Sequence, residues 1–157
     1  SRATADRLLE SQILPSLATL RVVGADEPLS VLDVGTGGGF PGIPLKILRP
    51  AVVLDLVDAR RKKTDFLEDA VRALGLESVT VHWCRIETPT PELAVRRFDR
   101  AFARAVGSER IVRSGVGSLL APGGEAWTFV APGHETDVQW PEAKPVTALR
   151  RLVDPGR

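Results

Sequence analysis

The sequence has a single cysteine, Cys84, among its 157 residues, with two histidines and neither methionine nor tyrosine. One cysteine excludes an intramolecular disulfide and favours a reducing, cytoplasmic setting. We expect Cys84 to be a small buried residue on a strand. It shares no metal-ligand spacing with His82 and His134, so we expect no metal. No apolar run approaches the roughly 20 residues that cross a bilayer, and we find no secretory signal, so we expect no membrane association.

An excess of charge of one sign is also missing, because the formal net charge is only +1. This balance gives a weak electrostatic argument for nucleic acid binding, which depends on neutralising phosphates. The distribution is less even, with a basic run over 60–63 and six arginines close in sequence: Arg96, Arg97, Arg100, Arg104, Arg110 and Arg113. Solvated loops and a phosphate-facing patch explain these runs equally well.

The length suits one compact domain over 1–157, with 43% hydrophobic and 26% charged residues. Apolar residues at helical spacing predict an N-terminal helical segment over 1–24, which Pro15 should break or kink. A core over 30–157 follows. Because Ser1 stands where an initiator methionine would, we expect the natural protein to extend further upstream.

Strand and helix patterns alternate along the core. The pattern predicts strands over 31–34, 52–57, 78–84, 98–103 and 125–130, with a weaker last strand over 146–153. It predicts helices over 43–48, 61–74 and 111–120. The connections are short enough for successive βαβ units, so we predict an α/β, Rossmann-like fold with a mostly parallel sheet and helices on both faces.

The first predicted strand runs into a glycine-dense turn, Val-Gly-Thr-Gly-Gly-Gly-Phe-Pro-Gly, which ends at Gly42. Such a turn lets a ligand approach bare backbone at a helix N-terminus. Gly35 and Gly37 fit a dinucleotide fingerprint, but Phe40 occupies its third glycine position, and Phe40-Pro41 replaces the Lys-Ser or Lys-Thr pair of a phosphate loop. The pattern favours a nucleoside cofactor without a pyrophosphate, such as S-adenosylmethionine. A plain turn without a ligand is the alternative.

Two acids stand at the ends of neighbouring predicted strands. Asp58 follows the second strand, where a carboxylate accepts hydrogen bonds from ribose hydroxyls, although a helix N-cap before Arg60 is an alternative role. Glu87 follows the third strand and, with the backbone of Ile86, is placed to meet the adenine edge. Apolar Ala59 and Ile86 would then cover the two adenine faces.

Arg104 ends the fourth predicted strand. Its guanidinium could hold the amino-acid carboxylate of the cofactor or a substrate phosphate through two parallel hydrogen bonds. We therefore take Arg104 as the candidate catalytic residue. An ordinary surface arginine is the alternative.

The segment Asp33-Val-Gly-Thr-Gly-Gly-Gly-Phe-Pro-Gly-Ile-Pro-Leu45 resembles the first motif of the glucose-inhibited division B family, also called RsmG. Members are class I S-adenosylmethionine-dependent methyltransferases that methylate N7 of a guanosine in 16S rRNA. The resemblance spans roughly 13–130. Further matching segments are Leu56-Val-Asp-Ala, Lys62-Lys63, Phe66-Leu67, Arg85-Ile-Glu87, Arg104-Ala-Val106 and Leu120-Ala-Pro-Gly-Gly124.

The resemblance implies S-adenosylmethionine as cofactor, and 16S rRNA in the small ribosomal subunit as partner. It implies loop contacts to the cofactor from Gly35, Thr36, Gly37 and Phe40, with Asp58 on the ribose. Adenine contacts would come from Ala59, Ile86 and Glu87, and Arg104 would meet the methionine end or the target nucleotide. We expect a cytoplasmic monomer.

The chain departs from the family pattern at three places. Members usually carry additional N-terminal helices. Gln12 and Pro15 stand where a His and an Asp typically precede the Ser-Leu pair, and a Lys-Gly pair is missing after the predicted strand 125–130, where 130–133 reads Val-Ala-Pro-Gly. These departures leave the candidate cofactor residues in place.

Three other functions fit parts of the pattern. The same cofactor domain could methylate another RNA, a protein or a small molecule, because fold does not determine substrate. A module could bind the cofactor or RNA without turnover. A nicotinamide-dependent oxidoreductase would explain the glycine turn and Asp58, but not Phe40.

Overall fold

The computed structural model describes residues 2–24, 28–104, 115–130 and 148–153. Within these ranges the chain forms a helical N-terminal segment followed by a six-stranded sheet. The strands are β1 Ser30–Val34, β2 Val53–Asp58, β3 Val79–Trp83, β4 Phe98–Ala103, β5 Leu120–Val130 and β6 Ala148–Val153. The α-helices are α1 Arg2–Leu8, α2 Leu14–Ser16, α3 Gly42–Leu48, α4 Arg61–Ala73 and α5 Pro91–Ala94.

The strands lie in the order β3-β2-β1-β4-β5-β6. The first five are parallel to one another, and β6 is antiparallel to β5. The predicted mostly parallel α/β sheet is therefore confirmed. The strand order reverses between β1 and β4, which makes a topological switch point, and open α/β sheets bind ligands outside the carboxyl ends of strands at such a point.

The central strands are buried because helices cover both faces, which explains their nearly continuous apolar character. Val31 and Leu32 of β1, and Leu54 and Leu56 of β2, are fully inaccessible to solvent. Helix α4 packs against this core through Leu67, while Phe66, one position earlier, is exposed. Burial of this kind holds the strand ends rigidly at the switch point.

Strand bounds agree with the predictions to within two residues except at β5, which begins at Leu120 rather than Glu125. Leu120 pairs with Phe98, and Glu125 pairs with Arg100, so two steps along β4 correspond to five along β5. We expected the Pro-Gly-Gly segment 122–124 to form a turn that precedes the strand. It lies inside β5 instead, as a bulge. The predicted helix over 111–120 is wrong over its last three residues, because 118–119 form a turn and Leu120 begins β5. Positions 115–117 are helical, and 111–114 lie outside the described ranges.

Of the break or kink predicted at Pro15, the break is wrong and the kink stays a prediction. The helical run continues from Arg2 to Arg21, with a π-helical stretch, Leu9–Ile13, placed just before the proline, and a 3₁₀ stretch at the end, Leu17–Arg21. Proline lacks the N–H that an α-helix requires, and the rare π-helix occurs mostly as a single turn inside an α-helical run. In this segment Ala18 is buried, whereas Leu8, Leu9 and Leu14 are 41–44% exposed.

Cys84 differs from its prediction. Cys84 lies just after β3 and is only partly buried, so the expectation of a buried strand cysteine is wrong in both respects. Burial raises the pKa of its thiol.

In the described part of the chain, no helix combines the length and apolar character needed to span a membrane. The same part holds no group of three His, Cys, Asp or Glu side chains placed to bind a metal.

Candidate cofactor site

The glycine loop, residues 35–42, lies at the carboxyl end of β1. Gly35, Gly37 and Gly39 have φ angles of +67°, +60° and +90°, which other residues rarely adopt. The N–H groups of Gly35 and Thr36 donate to the Val57 carbonyl, over 2.8 and 3.2 Å. These bonds tie the start of the loop to the end of β2, so the glycine backbone faces the crevice that the strand order creates.

Gly42 lets helix α3 pack closely on the sheet, although the comparison with the dinucleotide fingerprint did not select it. Gly42 begins α3, and a Cβ at this position would lie 2.6 Å from Leu56 Cδ2 and 2.8 Å from Asp33 Oδ2. Gly42 therefore does what the third glycine of a dinucleotide fingerprint does. Phe40, which occupies that third position in the spacing, is half-buried beside Gly38 instead.

Asp33 is a buried acid in β1 that sequence reasoning did not select as a site residue. Its Oδ2 accepts hydrogen bonds from Thr36 Oγ1 at 2.7 Å and from the Gly42 N–H at 2.8 Å. Its Oδ1 has no hydrogen-bond partner among residues that the structure describes. Burial raises the pKa of Asp33 to about 7. A carboxylate inside an otherwise apolar strand, two residues before a glycine run, was the available signal.

The same contacts define the part that Thr36 plays. Thr36 is buried, and its hydroxyl is committed to Asp33. We expected Thr36 to contact the cofactor, and that contact stays a prediction. The bond to Asp33 means that the Thr36 side chain also fixes the shape of the loop.

Asp58, the last residue of β2, is only 3% exposed. Its Oδ2 accepts from the Gly37 N–H at 3.0 Å, and its Oδ1 accepts from the Arg60 N–H at 2.9 Å. The Arg60 guanidinium also contacts both oxygens, at 3.1 and 3.3 Å. Burial tends to raise the pKa of Asp58, but the hydrogen bonds from Arg60 and Gly37 outweigh it and hold that pKa below its ordinary value. Asp58 is therefore an anion directly beside the glycine loop.

The N-cap interpretation of Asp58 does not hold as stated, because Arg60 occupies the N-cap position of α4. Asp58 lies two residues earlier and bonds the Arg60 amide. The Arg60 side chain is 66% exposed, so it can move away from the carboxylate at little packing cost.

The candidate adenine residues lie at the carboxyl ends of β2 and β3. Ile86 and Glu87 share one tight turn, in which the Thr88 N–H donates to the Arg85 carbonyl at 3.0 Å. Ile86 is 4% exposed, whereas Glu87 is exposed. Ala59 is exposed, and its carbonyl accepts a hydrogen bond from Trp83 Nε1 at 3.0 Å. The fold thus brings these three predicted residues to the same edge as Asp58.

Arg104 follows β4 directly and lies across the switch point from the glycine loop. Its Nη1 donates to Gln12 Oε1 at 2.9 Å, and its Nη2 donates to the Ser11 carbonyl at 2.8 Å. The guanidinium carbon of Arg104 lies 5.8 Å from the centre of the Phe129 ring. The positive charge also lowers the pKa of Asp33, against the larger effect of burial. Arg104 is therefore an anchored cation, and its link to the N-terminal segment was not foreseen.

A solved structure shares this architecture. A SAM dependent methyltransferase from Aquifex aeolicus aligns with a TM-score of 0.62 over 86% of this chain and 72% of that chain, at 21% identity. At such low identity the likeness concerns the fold alone. The chain therefore has the Rossmann-like fold of class I S-adenosylmethionine-dependent methyltransferases, as predicted.

Sequence comparison then gives the family. The family model described as GidB, rRNA small subunit methyltransferase G, matches residues 1–149, and the chain belongs to this family. The ribosomal RNA small subunit methyltransferase G of Laribacter hongkongensis is 42% identical over 96% of this chain and 70% of its own length. That of Carboxydothermus hydrogenoformans is 38% identical over 85% of this chain. The chain covers 57% of the Carboxydothermus protein. The resemblance noted from the motifs is confirmed.

Proposed function

We propose that this protein transfers a methyl group from S-adenosylmethionine to N7 of a guanosine in 16S rRNA. The observation that carries the proposal is the convergence of the glycine loop, the anionic Asp58 and the anchored Arg104 at one switch point. Membership of the GidB family supports the RNA acceptor, since the two relatives described above are named as ribosomal RNA small subunit methyltransferases.

The residues fit an adenosyl cofactor. Asp58 offers two acceptor oxygens to a ribose diol, and the displaceable Arg60 side chain can give up its place to the hydroxyls. Gly35 and Gly37 present backbone without a Cβ beside them. Ala59 supplies exposed apolar surface and Glu87 supplies an acceptor for the base, whereas the Ile86 side chain is buried in the core, so its part falls to its backbone. The acids of this site also suit a ligand that carries a positive sulfonium and ammonium group.

The cofactor, when bound, supplies an electrophilic methyl group. Guanine N7 carries a free lone pair at neutral pH, so the protein needs no general base to create the nucleophile. The residues of the protein have to bind the cofactor and the guanosine and orient the methyl group toward N7. Orientation of this kind can lower the activation barrier by about 7–11 kcal/mol. We assign Arg104 to the orientation of the methionine end or the target nucleotide, because its guanidinium is fixed at the end of β4.

We further propose that the protein works as a monomer in the cytoplasm. The described candidate site residues meet at the carboxyl edge of one sheet. The single cysteine is compatible with a reducing compartment.

The Asp58→Ala variant should bind S-adenosylmethionine more weakly by roughly 1–3 kcal/mol, since a charged hydrogen-bond acceptor for the ribose is lost. Titration calorimetry on the folded protein measures the effect. Asp65→Ala is the matched control, because Asp65 is 54% exposed on α4 and pairs with Arg61, an exposed neighbour on the same helix. Equal affinities for Asp58→Ala and the unchanged protein would remove Asp58 from the cofactor site.

The proposed reaction is tested with tritium-labelled S-adenosylmethionine and two acceptors, purified small ribosomal subunits and naked 16S rRNA. We expect label in 16S rRNA, recovered as 7-methylguanosine by nucleoside mass spectrometry. Label in a different nucleoside or in ribosomal protein would replace this function by that of another methyltransferase. Cofactor binding without any labelled product would indicate a non-catalytic module, and NAD binding in its place would indicate an oxidoreductase.

A further inference from the structure

The N-terminal helical segment reaches the proposed transfer site through one side chain. Gln12 lies in the π-helical stretch Leu9–Ile13, and its Oε1 accepts a hydrogen bond from Arg104 at 2.9 Å. The second Arg104 bond, to the Ser11 carbonyl, measures 2.8 Å. Two adjacent residues thus hold both terminal nitrogens of a guanidinium that lies 92 and 93 residues away in sequence.

Pro15 explains why the Ser11 carbonyl can accept a hydrogen bond from Arg104. In an unbroken α-helix the Ser11 carbonyl would accept from the N–H of residue 15, but that residue is a proline and has none. Arg104 supplies a donor in its place. The buried Ser16 hydroxyl donates to the Gln12 carbonyl at 2.6 Å, which fixes the backbone that carries the Gln12 side chain.

The opposite side of Arg104 is fixed as well. The Phe129 ring of β5 flanks the guanidinium, and Thr128 Oγ1 donates to the Ala103 carbonyl at 3.0 Å, which anchors the end of β4. A guanidinium has five N–H groups, and Gln12 and Ser11 accept from two of them. Both acceptors are neutral, so they set the orientation of Arg104 without neutralising its charge.

We propose that Gln12 is a positioning residue for methyl transfer, which acts by fixing the Arg104 guanidinium at the switch point. The N-terminal segment then completes the transfer site instead of merely covering the sheet. This inference rests on the proposed function, in which Arg104 orients the methionine end or the target nucleotide. The inference goes beyond the proposed function, because no sequence motif assigned a role to Gln12.

The test uses Gln12→Met, which keeps the length of the side chain and removes the acceptor oxygen. We expect kcat for methyl transfer to fall about tenfold, the effect of losing one hydrogen bond to a charged group, with little change in KM for the RNA. Glu10→Gln, an exposed change in the same π-helical stretch, is the control and should keep full activity. Wild-type kcat in Gln12→Met would overturn the proposal.

A double-mutant cycle separates positioning from general weakening of the segment. If Gln12 acts through Arg104, then Gln12→Met should cause no further loss of kcat in an Arg104→Ala background. An equal tenfold loss in both backgrounds would show that Gln12 acts independently, and would overturn the proposal. Thermal unfolding of each variant reports any loss of fold.

A physical measurement keeps this inference distinct from the proposed function. If the unchanged protein methylates no RNA, the proposed function fails. Nitrogen-15 NMR of the Arg104 side chain then decides whether Gln12 positions the guanidinium. Hindered rotation of the guanidinium in the unchanged protein and free rotation in Gln12→Met support the positioning role. The same rotation in both would overturn it.

Discussion

The Arg104→Ala variant is expected to lose methyl transfer by about 100-fold or more while it keeps its fold. Removal of the guanidinium leaves the methionine end of the cofactor or the target nucleotide without its oriented partner, and a misplacement of about 1 Å is enough for a loss of this size. The β-sheet should survive, because Arg104 follows β4 and contributes no side chain to the apolar core. The measurement is single-turnover transfer of labelled methyl groups to small ribosomal subunits, with circular dichroism as the check on folding.

Arg97→Ala provides a matched control for the change in charge. Arg97 lies just before β4, at the opposite end of the strand from Arg104, and its side chain donates to the neighbouring carbonyls of Ala94 and Arg96. We expect full activity from this variant. If Arg104→Ala also turned over at the wild-type rate, then Arg104 would be a structural link to the N-terminal segment with no part in transfer.

The sheet could be predicted from the sequence because its strongest determinants are local. Continuous apolar runs such as 52–57 define buried parallel strands, and the short helical connections between them leave one handedness and a parallel sheet. The predictions failed where the surrounding structure overrode a local sequence signal. The Pro-Gly-Gly segment 122–124 predicted a turn before a strand, but pairing with β4 extends β5 on both sides of it. Pro15 predicted a break or a kink, but the helical run continues unbroken past it, with a π-helical stretch just before the proline.

The candidate site was predictable to the extent that its residues follow strand ends. Asp58, Ile86 and Arg104 were found because the carboxyl ends of parallel strands meet at one edge. Gln12 could not be found in this way, because its contact with Arg104 spans 92 residues and depends on how an irregular helix docks. Asp33 was overlooked for a different reason, since it lies within β1 and does not follow the end of a strand.

The Asp33→Asn variant is expected to remove a large pH dependence from the stability of the ligand-free protein. Burial raises the pKa of Asp33 from 3.8 to about 7. Between these values the folded state holds a proton that the unfolded state has released, so the free energy of unfolding should fall as the pH rises. A shift of this size corresponds to a few kcal/mol, at about 1.4 kcal/mol for each pKa unit.

Stability from this group is fully present below about pH 4, decreases through the interval up to pH 7, and changes little above it. Asparagine keeps a carbonyl oxygen for Thr36 and Gly42 but cannot ionise, so Asp33→Asn should follow a flatter curve and exceed the unchanged protein most clearly near pH 8. Urea unfolding at intervals from pH 4 to pH 8 gives both curves, and Asp65→Asn, at an exposed position on α4, should leave the curve unaltered. Parallel curves for Asp33→Asn and the unchanged protein would mean that the Asp33 carboxyl is already ionised at low pH. In that case the Arg104 charge and the two hydrogen bonds at Oδ2 would outweigh the cost of burying the carboxylate.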